Sequence, residues 1–553
     1  MEPDRELTFV NPATGATFGR VAMTPLAEAR QAVADMRAAF PAWSGKPLAE
    51  RIRLLRRLQA VMIDARDEIS AVINQDCGKS RQDALIEVFM TADLLNEYNK
   101  HAPEWLRTRE VPRGLYLFKR AFVEPRPYGV VGVIAPWNYP FALAMPPVLA
   151  ALLAGNTVVL KPSEVTAATG VLMQRLFERV PELAPFVRVI HGDGAVGAAM
   201  VQARPDFIFL TGSTPTGKKV MAAAAEHLIP VVCELGGKDP LLVLEDADVD
   251  AAARWAVWGA YFNTGQTCMA VERVYVVAPV YDRFVEAAVR YTRELTYGYT
   301  PDKDNPHYLG PMTDPRQVKI VRAHFDDALA KGARALTGGR FDGMYIEPTV
   351  MVDVTHDMLL MQDETFGPIL PIMKVKDEAE AVRLANDNRF GLGASVWSAD
   401  LDHGRRVAAQ LQTGSVLIND TICQFAIPHL PFGGMKDSGI GRVHGREGLT
   451  QFTQPRAVML GDPPLEWDVA TVFRKPGHYQ AIAAVMRLAF GATLRQRLEP
   501  VREVLQGQRI PLDIPMEFPK VDRRMVAAAL GLLGGLAVTA FTLSRRARGK
   551  PGA

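Results

Sequence analysis

Cysteine is scarce in this chain. Four occur among 553 residues, Cys77, Cys233, Cys268 and Cys423, with no CxxC pair and no Cys/His cluster. That excludes a disulfide framework and gives no reason to expect a zinc or other metal site. Net charge is scarce too: 63 Lys plus Arg against 61 Asp plus Glu leave +2. So small a surplus offers no global field for nucleic acid, and a nucleic-acid partner is not expected. There is no internal repeat, no low-complexity tract and no GxGxxG fingerprint. The opening Met1-Glu-Pro-Asp-Arg-Glu is polar and acidic, unlike a secretory signal. A reducing, cytoplasmic setting is the expectation for the bulk of the chain.

What is present is an ordinary globular balance, 48% hydrophobic and 22% charged. That is ample for a core and for about three or four domains. Residues 25–110 read as helices, with apolar positions recurring at three and four, as in Ala49-Glu-Arg-Ile-Arg-Leu-Leu-Arg-Arg-Leu. From about 120 to 235 short β-branched runs appear, Val130-Val-Gly-Val-Ile, Thr157-Val-Val-Leu and Phe207-Ile-Phe-Leu. Helical stretches near Ala142–Leu153 and Gly217–His227 separate them. The same texture returns from 236 to 445, with strands at Pro240-Leu-Leu-Val-Leu, Val274-Tyr-Val-Val and Gly414-Ser-Val-Leu-Ile. Apolar strands alternating with helices imply βαβ units, so the fold class is α/β with two doubly wound parallel-sheet domains.

The far C-terminus breaks this pattern. Residues 461–522 hold several prolines and one amphipathic stretch near Ala481–Leu505, and read as a connector. From Met525 to Ser544 no charge occurs; as a helix the segment would span about 30 Å, a bilayer's hydrocarbon thickness. Arg523 and Arg524 flank one side, and Arg545, Arg546, Arg548 and Lys550 the other. The expectation is a transmembrane anchor helix at 525–544, with the lipid bilayer as partner and the rest of the chain cytoplasmic. Gly531 and Gly535 give a GxxxG spacing that could pair two such helices, though chance explains it about as well in so Gly-rich a stretch.

Four segments carry chemistry. Gly212-Ser-Thr-Pro-Thr-Gly-Lys-Lys begins like a phosphate loop. Lys219 stands where a magnesium-holding Ser or Thr belongs, and Pro215 removes an N–H, which argues against an NTPase. A glycine turn opening a helix still suits a dinucleotide pyrophosphate. Cys268 follows a polar, glycine-bearing turn, Phe262-Asn-Thr-Gly-Gln-Thr, a setting compatible with an activated thiolate; a lone cysteine is more often a buried apolar residue. Glu234 ends an apolar run before Gly236-Gly237, where partial burial would raise its pKa toward general-base work. Ile134-Ala-Pro-Trp-Asn-Tyr-Pro holds Asn138 between prolines as a directed donor, or is an ordinary Asn turn.

Together these segments resemble the NAD(P)-dependent aldehyde dehydrogenases. The matching stretches are PWNYP at 136–140, Lys161-Pro-Ser-Glu, FLTGS at 209–213, ELGGKDP at 234–240, GQTC at 265–268, ETFGP at 364–368 and PFGGMKDSGIGR at 431–442. They occur in family order over roughly residues 5–460, with Glu234 and Cys268 34 positions apart. The resemblance implies Cys268 as nucleophile, Asn138 and the Cys268 N–H as oxyanion donors, and Glu234 as the base that hydrolyses a thioester. It implies cofactor contacts at Ile134, Trp137, Lys161, Glu164, Gly212, Ser213, Glu364 and Phe366. A carboxylate at 164 favours NAD, with NADP possible. It further implies a dinucleotide-binding domain (1–110 and 129–235), a catalytic domain (236–447) and a β oligomerisation arm (111–128 and 448–460) that builds a homodimer or homotetramer.

Substrate choice is open at this level. The loop Ile422-Cys-Gln-Phe-Ala-Ile-Pro-His-Leu has no Arg or Lys to pair with a second carboxylate, and an anchor would bring the site near lipid-derived aldehydes. A medium- or long-chain aliphatic aldehyde is the expectation. Met269-Ala-Val-Glu-Arg-Val resembles a subgroup that includes succinate-semialdehyde enzymes, which is the alternative; a catalytically idle membrane-bound scaffold is another.

Overall fold

The computed structural model describes residues 5–114, 119–461 and 478–506. The chain divides into two units, Met1–Pro112 with Ala121–Val458, and Arg113–Arg120 with Met459–Ala553. The expected anchor at 525–544 lies outside the described residues. Among those described, no helix is long and apolar enough to cross a membrane.

Two sheets organise the first unit. One has six strands in the order Gly439–Ile440, Val231–Glu234, Phe207–Thr211, Val130–Ile134, Thr157–Lys161 and Val187–Val189. All pairings are parallel except that of Gly439–Ile440. The other has seven, in the order Arg334–Ala335, Thr349–Val352, Ile369–Val375, Val271–Val277, Asp239–Val243, Ser395–Trp397 and Leu417–Ile418. Only Arg334–Ala335 runs antiparallel there. Strands such as Val271–Val277 are buried along their whole length, which is why they read as unbroken apolar runs rather than alternating ones.

Helices Leu26–Ser44, Leu48–Asp64, Arg66–Cys77 and Arg81–Trp105 precede the first sheet. Leu48–Asp64 buries Leu54, Leu55, Leu58 and Met62 on one stripe. Met145–Ala154 is buried at every position but Pro146, so it is a core helix. It starts later than the sequence suggests because Pro146 and Pro147 fit only the first turn, where N–H groups need no intrahelical partner. It stops at Gly155, whose φ of 102° suits a residue without Cβ. A third sheet orders Thr453–Gly461, Lys119–Pro127 and Arg109–Val111. Its strand Arg109–Val111 begins two residues before the stretch 111–128. The stretch from 448 opens with the end of a helix, Gly445–Thr450, before its strand starts at Thr453.

In the second unit the single amphipathic stretch expected at 481–505 is two helices, His478–Phe490 and Leu494–Leu505, packed on each other. Gly491 breaks the run. Thr493 and Gln496 then exchange bonds, each backbone N–H donating to the other's side chain at 3.2 Å, and restart it. Tyr479 and Phe490 remain 83% and 70% exposed.

The topology places the chemistry. Strands ending at Glu234, Thr211, Ile134 and Lys161 are parallel, so all four carboxyl ends lie along one edge. The segments carrying Gly237, Cys268 and Phe366 lead into the amino ends of three parallel strands of the other sheet.

Candidate active site

Eight of the eleven residues picked from the sequence line one cleft of about 740 Å³: Trp137, Asn138, Gly212, Ser213, Glu234, Cys268, Glu364 and Phe366. Ile134, Lys161 and Glu164 do not line it. Ile134 and Lys161 face each other in register at adjacent strand ends, and Lys161 Nζ binds Glu164 Oε2 at 3.0 Å.

Cys268 follows a turn of unusual hand. Asn263, Thr264 and Gly265 have φ of 53°, 60° and 74°. Left-handed backbone is costly for a β-branched residue such as Thr264, and a network holds it. Asn263 Nδ2 donates to Gln266 O and to Asn138 O, Gln266 Nε2 donates to Asn263 O, and the Thr313 N–H donates to Gln266 Oε1. The Cys268 backbone N–H favours the ionised sulfur, but only weakly against the opposing effects. Burial first, then the carboxylates Glu364, Asp239 and Glu234, pushes the thiol well above its ordinary pKa, so it rests protonated.

Asn138 is buried, and its Nδ2 donates to Gln266 O at 3.0 Å, leaving one N–H for a ligand. Its loop is clamped by a pair that sequence reading missed. Lys79 Nζ donates to Asn138 O at 2.6 Å and to Glu87 Oε1 at 2.8 Å; Glu87 Oε2 accepts from Phe141 N and Ala142 N, both at 3.0 Å. All of this is buried. The only signal was a glutamate on the apolar face of helix Arg81–Trp105.

Glu234 is buried and neither carboxyl oxygen has a hydrogen-bond partner. Burial pushes its pKa far up, opposed only by the charge of Arg442. Such a carboxyl rests protonated and, once ionised, is a strong base. The double glycine beside it is steric. A Cβ on Gly236 would lie 2.3 Å from Glu364, and one on Gly237 would lie 2.3 Å from the Cys268 carbonyl oxygen.

The cleft fits a dinucleotide. Gly212 leads to helix Thr214–Ala225, and Ser213 makes no capping bond across the helix start, which leaves N–H groups free for a pyrophosphate. Phe366 stands edge-on to Trp137 at 5.5 Å. Glu364 accepts from Gly237 N at 3.1 Å, and burial raises its pKa to about 8. The backbone at Thr365 and Phe366 is fixed by a second unread pair: Lys238 Nζ bonds Glu272 Oε2 at 2.6 Å, and Glu272 accepts both amides at 2.7 and 2.8 Å. Its signal was a charged residue inside a fully buried strand.

A second cavity of about 1430 Å³ also reaches Cys268 and Leu143. Ile86, Met90, Trp258, Phe262, Ile422 and Phe425 are among its walls, and no Lys or Arg is. Glu234 borders in addition a small apolar inner pocket with Phe209, Phe432 and Phe452.

Known proteins resemble this chain. Residues 1–458 match the family described as the aldehyde dehydrogenase family. A 4,4'-diapolycopene aldehyde oxidase of Methylomonas sp is 44% identical over 452 residues, covering 81% of this chain and 84% of that one. A succinate-semialdehyde dehydrogenase (NADP+) of Deinococcus radiodurans is 36% identical over 466 residues, 82% of this chain and 95% of that one. The solved NADP-dependent glyceraldehyde-3-phosphate dehydrogenase of Bacillus halodurans C-125, complexed with NADP, superposes with a TM-score of 0.79 at 33% identity, over 83% of this chain and 96% of that one. The chain belongs to the aldehyde dehydrogenase family and is an NAD(P)-dependent enzyme of aldehyde oxidation.

Proposed function

We propose that this enzyme oxidises a medium- or long-chain apolar aldehyde to its carboxylic acid. The observation that carries the reading is the wide second cavity at Cys268, walled by apolar side chains and by no Lys or Arg. That weighs against the succinate semialdehyde named for the Deinococcus relative. The 4,4'-diapolycopene aldehyde named for the Methylomonas relative is a hydrocarbon-chain substrate by its name, which such a cavity admits. The test is a series of aldehydes from two to sixteen carbons plus succinate semialdehyde, with NAD and NADP. kcat/KM should climb with chain length; a maximum at succinate semialdehyde or a flat profile overturns the assignment.

In this reading Cys268 is the nucleophile. Its Sγ gives its proton to solvent water and bonds to the carbonyl carbon, and the oxyanion is held by Asn138 Nδ2–H and the Cys268 N–H. Trp137, Gly212, Ser213, Glu364 and Phe366 would hold NAD(P)+, which would supply the acceptor for the hydride that leaves the thiohemiacetal carbon to give the thioester. Glu234 then takes a proton from water; the water oxygen bonds to the thioester carbon, the C–S bond breaks and the acid leaves. NAD is favoured over NADP because Glu164 can accept from a ribose hydroxyl. Arg316, close enough to Glu164 to feel its charge, leaves room for a phosphate.

The C-terminal segment 525–544 acts as a membrane anchor, holding the enzyme body on the cytoplasmic face. Two features support this: the uncharged run bounded by arginines, and the apolar side chains that helices His478–Phe490 and Leu494–Leu505 leave exposed. Full-length protein should float with lipid vesicles, and a chain ending at residue 461 should not. The strands Thr453–Gly461, Lys119–Pro127 and Arg109–Val111 form the oligomerisation arm, pairing copies by sheet extension. The size of the assembly in solution tests that assignment.

A further inference from the structure

We propose that Glu97, His101 and His429 form a binding site for a divalent transition metal of the zinc class, on the helix and the loop that each give residues to the apolar cavity. Nothing in the sequence suggested it, because the third member is 332 positions from the first. The fold alone brings them together.

Glu97 and His101 are one turn apart on helix Arg81–Trp105, the spacing that aims two side chains at one point. His429 comes from the loop that follows the short helical turn Cys423–Ala426. Glu97 Oε2 lies 2.8 Å from His429 Nε2 and 3.5 Å from His101 Nε2, and the three ligand atoms all lie within 4.8 Å of one another. Tetrahedral zinc with ligands at about 2.0–2.1 Å spaces them about 3.4 Å apart, so small side-chain shifts suffice. Two imidazoles and one carboxylate suit zinc, nickel or copper better than calcium or magnesium. The rings are held in place beforehand. His101 stacks on Trp105 at 5.0 Å and 15°, and His429 stands edge-on to both. Asn96 Nδ2 donates to Glu97 Oε1 at 3.3 Å, which leaves Oε2 to the metal. Lys100 Nζ is 3.7 Å from Glu97 Oε2 but well exposed, and turns to solvent when a cation binds. His429 and Glu97 are partly open, so an ion has an entry path and water completes the shell.

The position gives the site a consequence. Ile86 and Met90 of the helix form one wall of the cavity beside Cys268, and Ile422, Phe425 and Ala426 of the loop form another. A metal bridging His429 to Glu97 and His101 ties those walls together.

The test uses full-length protein without a histidine tag, freed of metal by chelation, in a Cys268→Ala background so that the nucleophile cannot serve as a ligand. CoCl2 should bind one equivalent with the visible absorption of a four- or five-coordinate site, and ZnCl2 should displace it. His429→Ala, an exposed position whose change spares the core, should weaken zinc binding on the order of 100-fold, and Glu97→Gln should weaken it too. Zinc should slow amide exchange across residues 421–430, and His429→Ala should abolish that slowing. Absence of binding at micromolar metal, or binding that survives both substitutions, overturns the proposal.

Discussion

Glu234 shows how one side chain's surroundings set its task. With no partner on either oxygen and burial raising its pKa, it would serve the proposed mechanism as a base only as pH rises above the ordinary carboxylate range. The steady-state rate should therefore climb with pH through that limb, and Glu234→Gln should erase the limb. The same variant should keep its first burst of NAD(P)H and lose turnover, because only thioester hydrolysis needs the base; equal loss in both phases would remove the residue from that role. Asn138→Ala should lower kcat on the order of 100- to 1000-fold, the usual cost of an oxyanion donor, measured by steady-state NADH absorbance. These residues were legible because each sits in a short motif whose residue types have few other uses together. The protonated state of Cys268 was not legible: it depends on carboxylates at 234, 239 and 364 that only folding gathers.

At the level of elements, the loop from Trp137 to Ala142 is positioned by helix Arg81–Trp105 and the turn before it. Lys79→Met strands Glu87 as a buried charge and should cost about 3–5 kcal/mol of stability, read from urea unfolding. Glu87→Gln beside it should restore part of that stability but not kcat, since Asn138 O still lacks its Lys79 donor. Recovery of both would make the pair structural only. No periodicity reveals such a clamp, because its members are 8 and 59 positions apart and belong to different elements. Strands such as Val130–Ile134 were readable from β-branched composition and burial on both faces. Helix limits were not, where proline chemistry at Pro146-Pro147 or a capping exchange at Thr493 and Gln496 decided them.

Across the whole molecule, buried acids make stability depend on pH. Asp76 accepts from Thr169 N and Oγ1 at 2.8 and 2.9 Å, yet burial raises its pKa from 3.8 to about 7. Asp239 is raised likewise to about 7. Over the interval from the unfolded value to about 7 the folded protein holds protons that the unfolded chain releases. Their contribution is complete below the unfolded pKa and is lost as pH rises through the folded one. His191 and His444, both lowered by burial to about 4, act in the opposite sense over much of that interval, so Asp76→Asn should turn the pH dependence of the denaturation midpoint toward rising stability between about pH 4 and pH 7. The order of motifs made the two-sheet architecture legible, while the convergence of residues far apart in sequence, His429 with Glu97 among them, was visible only once the chain was folded.

Two openings lead to one sulfur. The dinucleotide cleft and the apolar cavity share Cys268 and Leu143 and otherwise have separate walls. With the apolar aldehyde proposed above as substrate, reduced coenzyme would leave by the back door while the acyl chain still occupied the front, and turnover would need no fixed sequence of departures.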